Sequence, residues 1–391
     1  MKPYVPPLGK ARVAIASSVT AMPPRAKNVA AAFGGVLADP IHALSAFPAV
    51  DLAAMDGYAV AGEGPWRVRR DVHSAGTSNG DPLGPGWAVK IATGAHVPDG
   101  ADTVVRDEYV YYVGPSTAPF INRTERWPHR DDVRRKGECW YEGALLAPAG
   151  VRVTAAVVST ALSAGVDEVV ARGPLRARVL LTGDEIRAEC PSPGFTRDTI
   201  GPILPTVLGQ MDIDCVGVAT VTDRPGQLTQ ALGEATDVEL VIVVGSTGRG
   251  AADHLRQSLA ALSAATVVDG IAMRPGGSQL TARLPDGRVM LGLPGNPLAA
   301  VASLLATGPV LVDALTGRRD RVPLFGIIDD LTVLREYTRL LPVAQRSNGR
   351  WTVSKPGSTA HLAGLIGADA LAVVPPGHEF DTHVELLALR T

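Results

Sequence analysis

The alternation of apolar and polar positions changes rhythm along the chain. Between 48 and 142, short apolar runs such as "GYAVAG", "WAVKIATG" and "DTVVRDEYVYYV" alternate with Gly/Pro/Asp clusters, the spacing of a small β-rich domain. From 176 to 317, strand-like and helix-like stretches take turns. "ARVLLTGDE", "CVGVATVTD", "VELVIVVGSTGRG" and "RVMLGL" read as buried strands. "TIGPILPTVLGQM", "GQLTQALGEA", "AADHLRQSLAAL" and the long small-apolar run "AAVASLLATGPVLVDAL" read as helices, the first weakened by its prolines and glycines. This βαβ rhythm predicts a largely parallel sheet covered on both faces. After Gly317 the runs "RVPLFGIIDDLTVL", "RLLPVAQRSNGRWTVSKPG", "ALAVVPPG" and "HVELLALR" return to β, fitting a barrel or sandwich. Residues 27–38, "KNVAAAFGGVLA", have the spacing of a short helix, and "GALLAPAGVRVTAAVVSTALSAGVDEVVA" that of a strand edge followed by an amphipathic helix. The fold class expected is multidomain α/β: a central α/β domain with a largely parallel sheet, a β-rich domain and a C-terminal β-barrel or sandwich.

Open α/β sheets bind ligands at the carboxyl ends of their strands, and the polar clusters of this chain fall there. The Gly-rich turn in "VVGSTGRGAADH" (243–254) lets backbone N–H groups approach an anion, with a helix N-terminus behind it and Arg249 to pair with phosphate. It reads equally as an ordinary strand–helix turn. It is not a Walker A loop, since no Gly-Lys-Ser/Thr follows, and it lacks the Gly-x-Gly-x-x-Gly of nicotinamide cofactors. Carboxylates in "TGDE" (182–185), "RDT" (197–199), "TDRP" (222–225) and "AADH" (251–254) gather at the same sheet edge. Each alone is a turn residue or helix cap, with Asp198 the best N-cap candidate. Together they would repel one another unless a cation joins them, and Mg²⁺ takes one or two carboxylates plus substrate phosphates. In "GLPGNPLAAV" (292–301) the prolines fix φ, Pro297 suits a first helical turn and Asn296 its cap, so a stiff pocket wall is expected. Asp56-Gly57 reads as a tight turn, and "DDVRRKGEC" (131–139) as a solvated basic turn or an anion clamp.

Composition mainly excludes. A chain of 391 residues, 46% hydrophobic and 19% charged, is a globular protein of about two to three domains. Lys+Arg number 37 against 39 Asp+Glu, a net charge of −2, so neither nucleic acid nor an anionic membrane is an expected partner. The three cysteines, Cys139, Cys190 and Cys215, form no Cys-x-x-Cys pair. That argues against disulfides and zinc and for a reducing cytoplasmic setting. No run reaches the roughly 18 apolar residues of a membrane helix.

The motifs "AAMDGYAV", "TGAHVPDGADTVV", "RRKGE", "TGDE", "TDRP", "GAADH", "RPG" and "GLPGNP", in this order, resemble the molybdopterin molybdenumtransferase family, which includes the C-terminal domain of gephyrin. The resemblance spans nearly the whole chain. It implies a homodimer of four-domain protomers: 1–47 with 143–175 as an elongated dimerisation domain, 48–142 as the β-rich domain, 176–320 as the molybdopterin-binding α/β domain and 321–391 as the barrel. The implied site lies between the α/β domain of one subunit and the β-rich domain of the other. The implied reaction is insertion of molybdate into adenylylated molybdopterin, with Mg²⁺ and release of AMP. Carried onto this sequence, the resemblance makes Asp56, Asp223 and Asp253 the catalytic and metal-holding carboxylates. It assigns the pterin substrate to Thr93, Glu138, Asp184, Glu185, Asp198, Gly245, Thr247, Arg249, Arg274, Pro294, Asn296 and Pro297.

The chain departs from the family pattern at several of these places. Leu52 and Ala53 stand where Asn-Ser is usual, Cys139 where Asp is, and Ile200 where Asn is. Gly245-Ser246-Thr247-Gly248 replaces Gly-Gly-Val-Ser, and "RPGGS" replaces "KPGKP", so a charge is kept at Arg274 and lost at Gly277. The reading placed first is an active enzyme. The alternative is a catalytically impaired paralogue acting as a molybdopterin-binding or scaffold protein.

Overall fold

The structure, a computed structural model, describes residues 4–76, 81–115, 119–187, 189, 192–248, 254–329, 336–354, 358–379 and 381–389. Among these the α-helices are α1 (Leu8–Ser17), α2 (Ala155–Ser163), α3 (Leu204–Gly209), α4 (Gln227–Glu234), α5 (Leu255–Ala261) and α6 (Pro297–Thr316). The chain divides into a smaller unit, Pro40–Pro148 with Ala155–Glu168, and a larger one, Met1–Asp39 with Ala149–Thr154 and Val169–Thr391.

The smaller unit is built on a six-stranded sheet. Its order is Thr103–Arg106, Gly57–Val60, Trp87–Ile91, Trp66–His73, Phe120–Arg123, Val110–Val113. Alternation decides its faces, because successive side chains on a strand point to opposite sides. Ala59, Val89, Ile91 and Val104 join one buried cluster, while Tyr58, Val60, Ala88 and Val105 join another with Trp66 and Trp127. Gly57 opens a strand rather than completing the expected tight turn, and a side chain there would overlap the Val105 carbonyl.

The larger unit carries the sheet that positions the candidate site. Its order is Ile213–Val221, Leu175–Thr182, Leu240–Val244, Val289–Leu293, Leu280–Arg283, Ala265–Asp269. The first four strands are mutually parallel and the last two antiparallel, so the sheet is largely parallel. Both faces are covered. Val179, Leu181, Ile242, Val244, Leu291 and Leu293 pack with residues of α1, α3 and α6. Leu180, Val241, Val243 and Met290 pack on the other face with Leu228, Leu232, Leu255 and Leu259 of α4 and α5. Five strands near the C-terminal end, Leu324–Asp329, Thr338–Gln345, Trp351–Val353, Ala370–Val374 and His383–Ala388, close into a barrel when Ala370–Val374 pairs back onto Thr338–Gln345.

Helix α6 is the one described helix long and apolar enough, by length and composition, to cross a membrane. It is instead the central core helix of the unit, with Ala300, Ala302 and Leu304 at 0% exposure. The helix expected at 27–38 is absent. Strands Arg25–Asn28 and Val36–Leu37 stand there, with Glu168–Arg172 between them in a three-stranded sheet. Strand pairing to a distant segment outweighs a weak local helix propensity already lowered by Gly34 and Gly35. Conversely α1 was not anticipated, although Leu8, Ala11 and Ile15 supply its buried stripe.

Candidate functional site

At the C-terminal ends of the four parallel strands the larger unit encloses a cavity of about 690 Å³. Each strand end contributes: Thr182 and Gly183 at the end of Leu175–Thr182, Asp223 after Ile213–Val221, Gly245–Gly248 after Leu240–Val244, and Pro294–Pro297 after Val289–Leu293. A parallel sheet aligns these ends on one side, which explains why motifs scattered over a hundred residues meet. Glu185, Asp198, Asp223, Gly245, Thr247, Pro294, Asn296 and Pro297 all line the cavity, as their shared sheet edge implied.

The loop after Leu240–Val244 is held open by its own chemistry. Gly245 has φ +94°, and a Cβ there would lie 2.5 Å from Thr182 Oγ1. Only glycine lets the loop pass so close to the neighbouring strand. Thr182 Oγ1 donates its proton to the Val244 carbonyl at 3.0 Å, so its 2.9 Å contact with Ser246 Oγ is one in which Ser246 donates. Ser246 is thereby pinned at φ +51°, in the left-handed region few non-glycine residues adopt. Thr247, 3% exposed, pairs its hydroxyl with Ser278 Oγ at 3.0 Å. The N–H groups of Ser246, Thr247 and Gly248 have no hydrogen-bond acceptor among the described residues. Unspent backbone donors on a loop that passes from left-handed into extended or helical conformations form a concavity suited to an anion.

The opposite rim is acidic. Asp223 Oδ2 accepts the Asp184 N–H at 3.1 Å, and Asp184 Oδ1 accepts the Asp223 N–H at 3.2 Å. These reciprocal bonds lock two strand ends together and leave one oxygen on each carboxylate without a partner among the described residues. Asp198 Oδ1 accepts the N–H groups of Ile200 and Gly201 at 3.0 and 2.8 Å, capping the turn that leads into α3. Arg197 is the only cation among the described lining residues, against Glu185, Asp198 and Asp223.

Other expected residues lie elsewhere. Arg249 and Asp253 are outside the described residues. Arg274 is not on the cavity wall: its guanidinium sits over the Tyr337 ring, 4.4 Å from the centroid. Asp56, Thr93 and Glu138 belong to the smaller unit. There Asp56 Oδ1 accepts both the N–H and the hydroxyl of Thr93, at 2.6 and 2.8 Å. Those two bonds, the backbone one first, hold the Asp56 carboxyl below its usual range. Glu138 accepts the Arg135 N–H at 2.9 Å. Arg135 is no open anion clamp, because Asp51 and Asp131 already pair with its guanidinium at 2.9 and 2.7 Å. Asn296 stands at the cap position of α6, exposed, and makes no side-chain cap bond. The first free N–H of that helix, on Leu298, donates to the Thr359 carbonyl. Among the described residues no three His, Cys, Asp or Glu side chains converge as a ready metal cage.

Sequence reading missed Thr182, Ser246, Ser278, Arg197 and Ala360, which also line the cavity. The hydroxyls carried a signal, as they flank the very turns identified. Ala360 carried none, since it reaches the site only through the folded chain.

With this geometry established, similarity to known proteins is informative. The family described as "MoeA N-terminal region (domain I and II)" matches residues 7–165, and the "Probable molybdopterin binding domain" matches residues 178–313. The chain belongs to the molybdopterin molybdenumtransferase family. It is 29% identical over 379 residues to the molybdopterin molybdenumtransferase of a Nostoc species, covering 90% of this chain and 84% of that one. It is also 29% identical over 380 residues to that of Bacillus subtilis, covering 90% and 87%. A solved molybdopterin biosynthesis moeA protein from Pyrococcus horikosii is similar over 99% of this chain and 100% of its own, at 25% identity and a TM-score of 0.72.

Against the family pattern, the departures have visible consequences. Ile200, where Asn is usual, is 4% exposed and packs into the main core while also lining the cavity. At Gly277 a Cβ would lie 2.8 Å from the Met273 carbonyl, so the backbone as it stands here leaves no room for a lysine without a shift. Cys139 is exposed.

Proposed function

We propose that this chain inserts molybdate into adenylylated molybdopterin and releases AMP, as a step of molybdenum cofactor biosynthesis. The observation that carries the proposal is the cavity at the parallel strand ends. It joins a loop with three unpaired N–H groups to a rim of three carboxylates, in a chain of this family. The N–H groups of 246–248 receive the anionic phosphate of the pterin, with Arg249 as a further cation. Asn296 and the rigid Pro294–Pro297 wall shape the space for the ring. Preorganised donors of this kind stabilise developing negative charge without having to reorganise.

The donor set suits Mg²⁺. That ion takes hard oxygen ligands and is content with one or two carboxylates plus phosphate oxygens. Asp223 lines the cavity with an oxygen to spare, so a complete protein cage is not required. Asp223 would hold the ion, together with Asp253 and, in the family's arrangement, Asp56. Bound there, Mg²⁺ would offset charge on the phosphoanhydride oxygens. A net-acidic rim without a cation would otherwise repel a phosphorylated substrate. We read the assembly as a homodimer, which sedimentation at micromolar concentration tests directly.

The deciding experiment measures AMP release from adenylylated molybdopterin with molybdate, with and without Mg²⁺. Mg²⁺-dependent release supports the enzyme. A second reading, a catalytically impaired pterin-binding or scaffold protein, draws on the apolar Ile200 in the cavity wall and on the charge lost at Gly277. Pterin binding without AMP release would favour it.

A further inference from the structure

We infer that Arg256, on α5 and outside the cavity wall, is a positioning residue that aims the anion-binding loop. Its guanidinium donates to the carbonyls of both Thr247, at 3.3 Å, and Gly248. It is anchored from behind by Asp269, at the end of Ala265–Asp269, through bonds of 3.2 and 2.6 Å. A trans peptide points its C=O and its N–H in opposite directions. Holding the Thr247 carbonyl toward Arg256 therefore turns the Gly248 N–H away from it, and Gly248 lines the cavity. The same bonds remove two carbonyl dipoles that would otherwise be free to rotate toward an incoming anion. Arg256 thus aims the loop without touching the anion: it holds the Thr247 and Gly248 carbonyls to itself and turns the Gly248 N–H the other way. The planar fork of arginine reaches two carbonyls and a carboxylate at once, which a single ammonium cannot do in the same geometry.

This inference rests on the cavity being the pterin-phosphate site. Its test uses the whole chain with two probes, molybdopterin and inorganic pyrophosphate, followed by calorimetry. Arg256→Ala is expected to raise both dissociation constants by about tenfold or more while melting within about 3 °C of wild type, with Arg256→Lys between the two. Asp269→Ala separates positioning from simple charge. Removing a negative group should tighten anion binding if Arg256 acts only by its field, but loosen it if Arg256 must be held in place. Weaker binding in Asp269→Ala supports the inference. Wild-type affinity in Arg256→Ala, or tighter binding in Asp269→Ala, overturns it and leaves the proposed function standing. A wild type that binds pyrophosphate but not molybdopterin sinks the proposed function alone, and the variants then test the loop with pyrophosphate. A wild type that binds neither probe removes both.

Discussion

Two Thr/Gly-containing corners of this molecule carry family motifs, and they use their hydrogen-bond donors in opposite ways. In the smaller unit, Thr93 gives both its N–H and its hydroxyl to Asp56. In the larger unit, the N–H groups of Ser246, Thr247 and Gly248 go to no acceptor among the described residues, while the hydroxyls of Ser246 and Thr247 and the carbonyls of Thr247 and Gly248 are engaged. Donors that no protein group takes up remain open to water or to a ligand. The first corner fixes a carboxylate in one orientation. The second is prepared for a ligand that brings its own acceptors.

The most severe way to challenge that contrast is to neutralise the acidic rim. Asp223→Asn is expected to lower AMP release by two orders of magnitude or more, about 3 kcal/mol of transition-state stabilisation. The fold should survive, since the Asn side chain still accepts the Asp184 N–H. Turnover within tenfold of wild type would show that the rim is not where the cation acts. The loop itself is probed by Gly245→Ala, which forces a Cβ against Thr182 at positive φ. A loss of about 1–3 kcal/mol in denaturant unfolding is expected, together with weakened pterin binding. Unchanged stability would mean that the loop moves aside readily and is not preorganised.

The satisfied corner should respond more mildly. Thr93→Val removes the hydroxyl bond to Asp56 and keeps the backbone one. A small loss of stability is expected, since the bond is open to solvent, and the reading in which Asp56 takes part in catalysis adds a drop in turnover. If turnover is untouched while stability falls, Asp56 serves structure alone. The smallest expected effect concerns acid. The Asp132 carboxyl is held below its usual range by hydrogen bonds from Arg106 and then Arg130, against the opposing effect of burial. A folded-state pKa below the unfolded one contributes stability that is complete above the unfolded pKa, near about 3.9, and is lost as pH falls through the folded one. Thermal stability should therefore weaken below about pH 4. Asp132→Asn should flatten part of that slope, leaving the share of Asp51, Asp56, Asp71, Asp237, Asp286 and Asp320, whose carboxyls are also lowered. An unaltered slope would assign the acid sensitivity to carboxyls other than Asp132.

Much of the site was legible because a parallel sheet converts sequence rhythm directly into place. Once "VELVIVV" and "RVMLGL" are read as buried strands, the residues after Val244 and Leu293 must emerge on the same edge. The same logic delivered Asp223 and Glu185. Other readings failed where identity did not reveal the partner. Arg135 looks available in "RRKGE" until Asp51, 84 positions away, is found beside it. Arg274 looks like an anion ligand until Tyr337 is found beneath it. Asn296 has the right identity and position for a helix cap, yet makes no cap bond.

By itself, the sequence determined the alternation of strands and helices from 176 to 317, the covered parallel sheet, the β-rich region that follows it and the family, because these depend on periodicity, turn chemistry and motif order along the chain. Tertiary structure alone decided which donors and charges remained available. Whether an N–H, a guanidinium or a carboxylate oxygen is spent depends on groups brought within 3 Å by folding, often from far along the chain. Arg256 shows this most plainly. In sequence it is one arginine on a short helix, and only the folded loop, with two carbonyls on one side of it and Asp269 on the other, gives it something to hold.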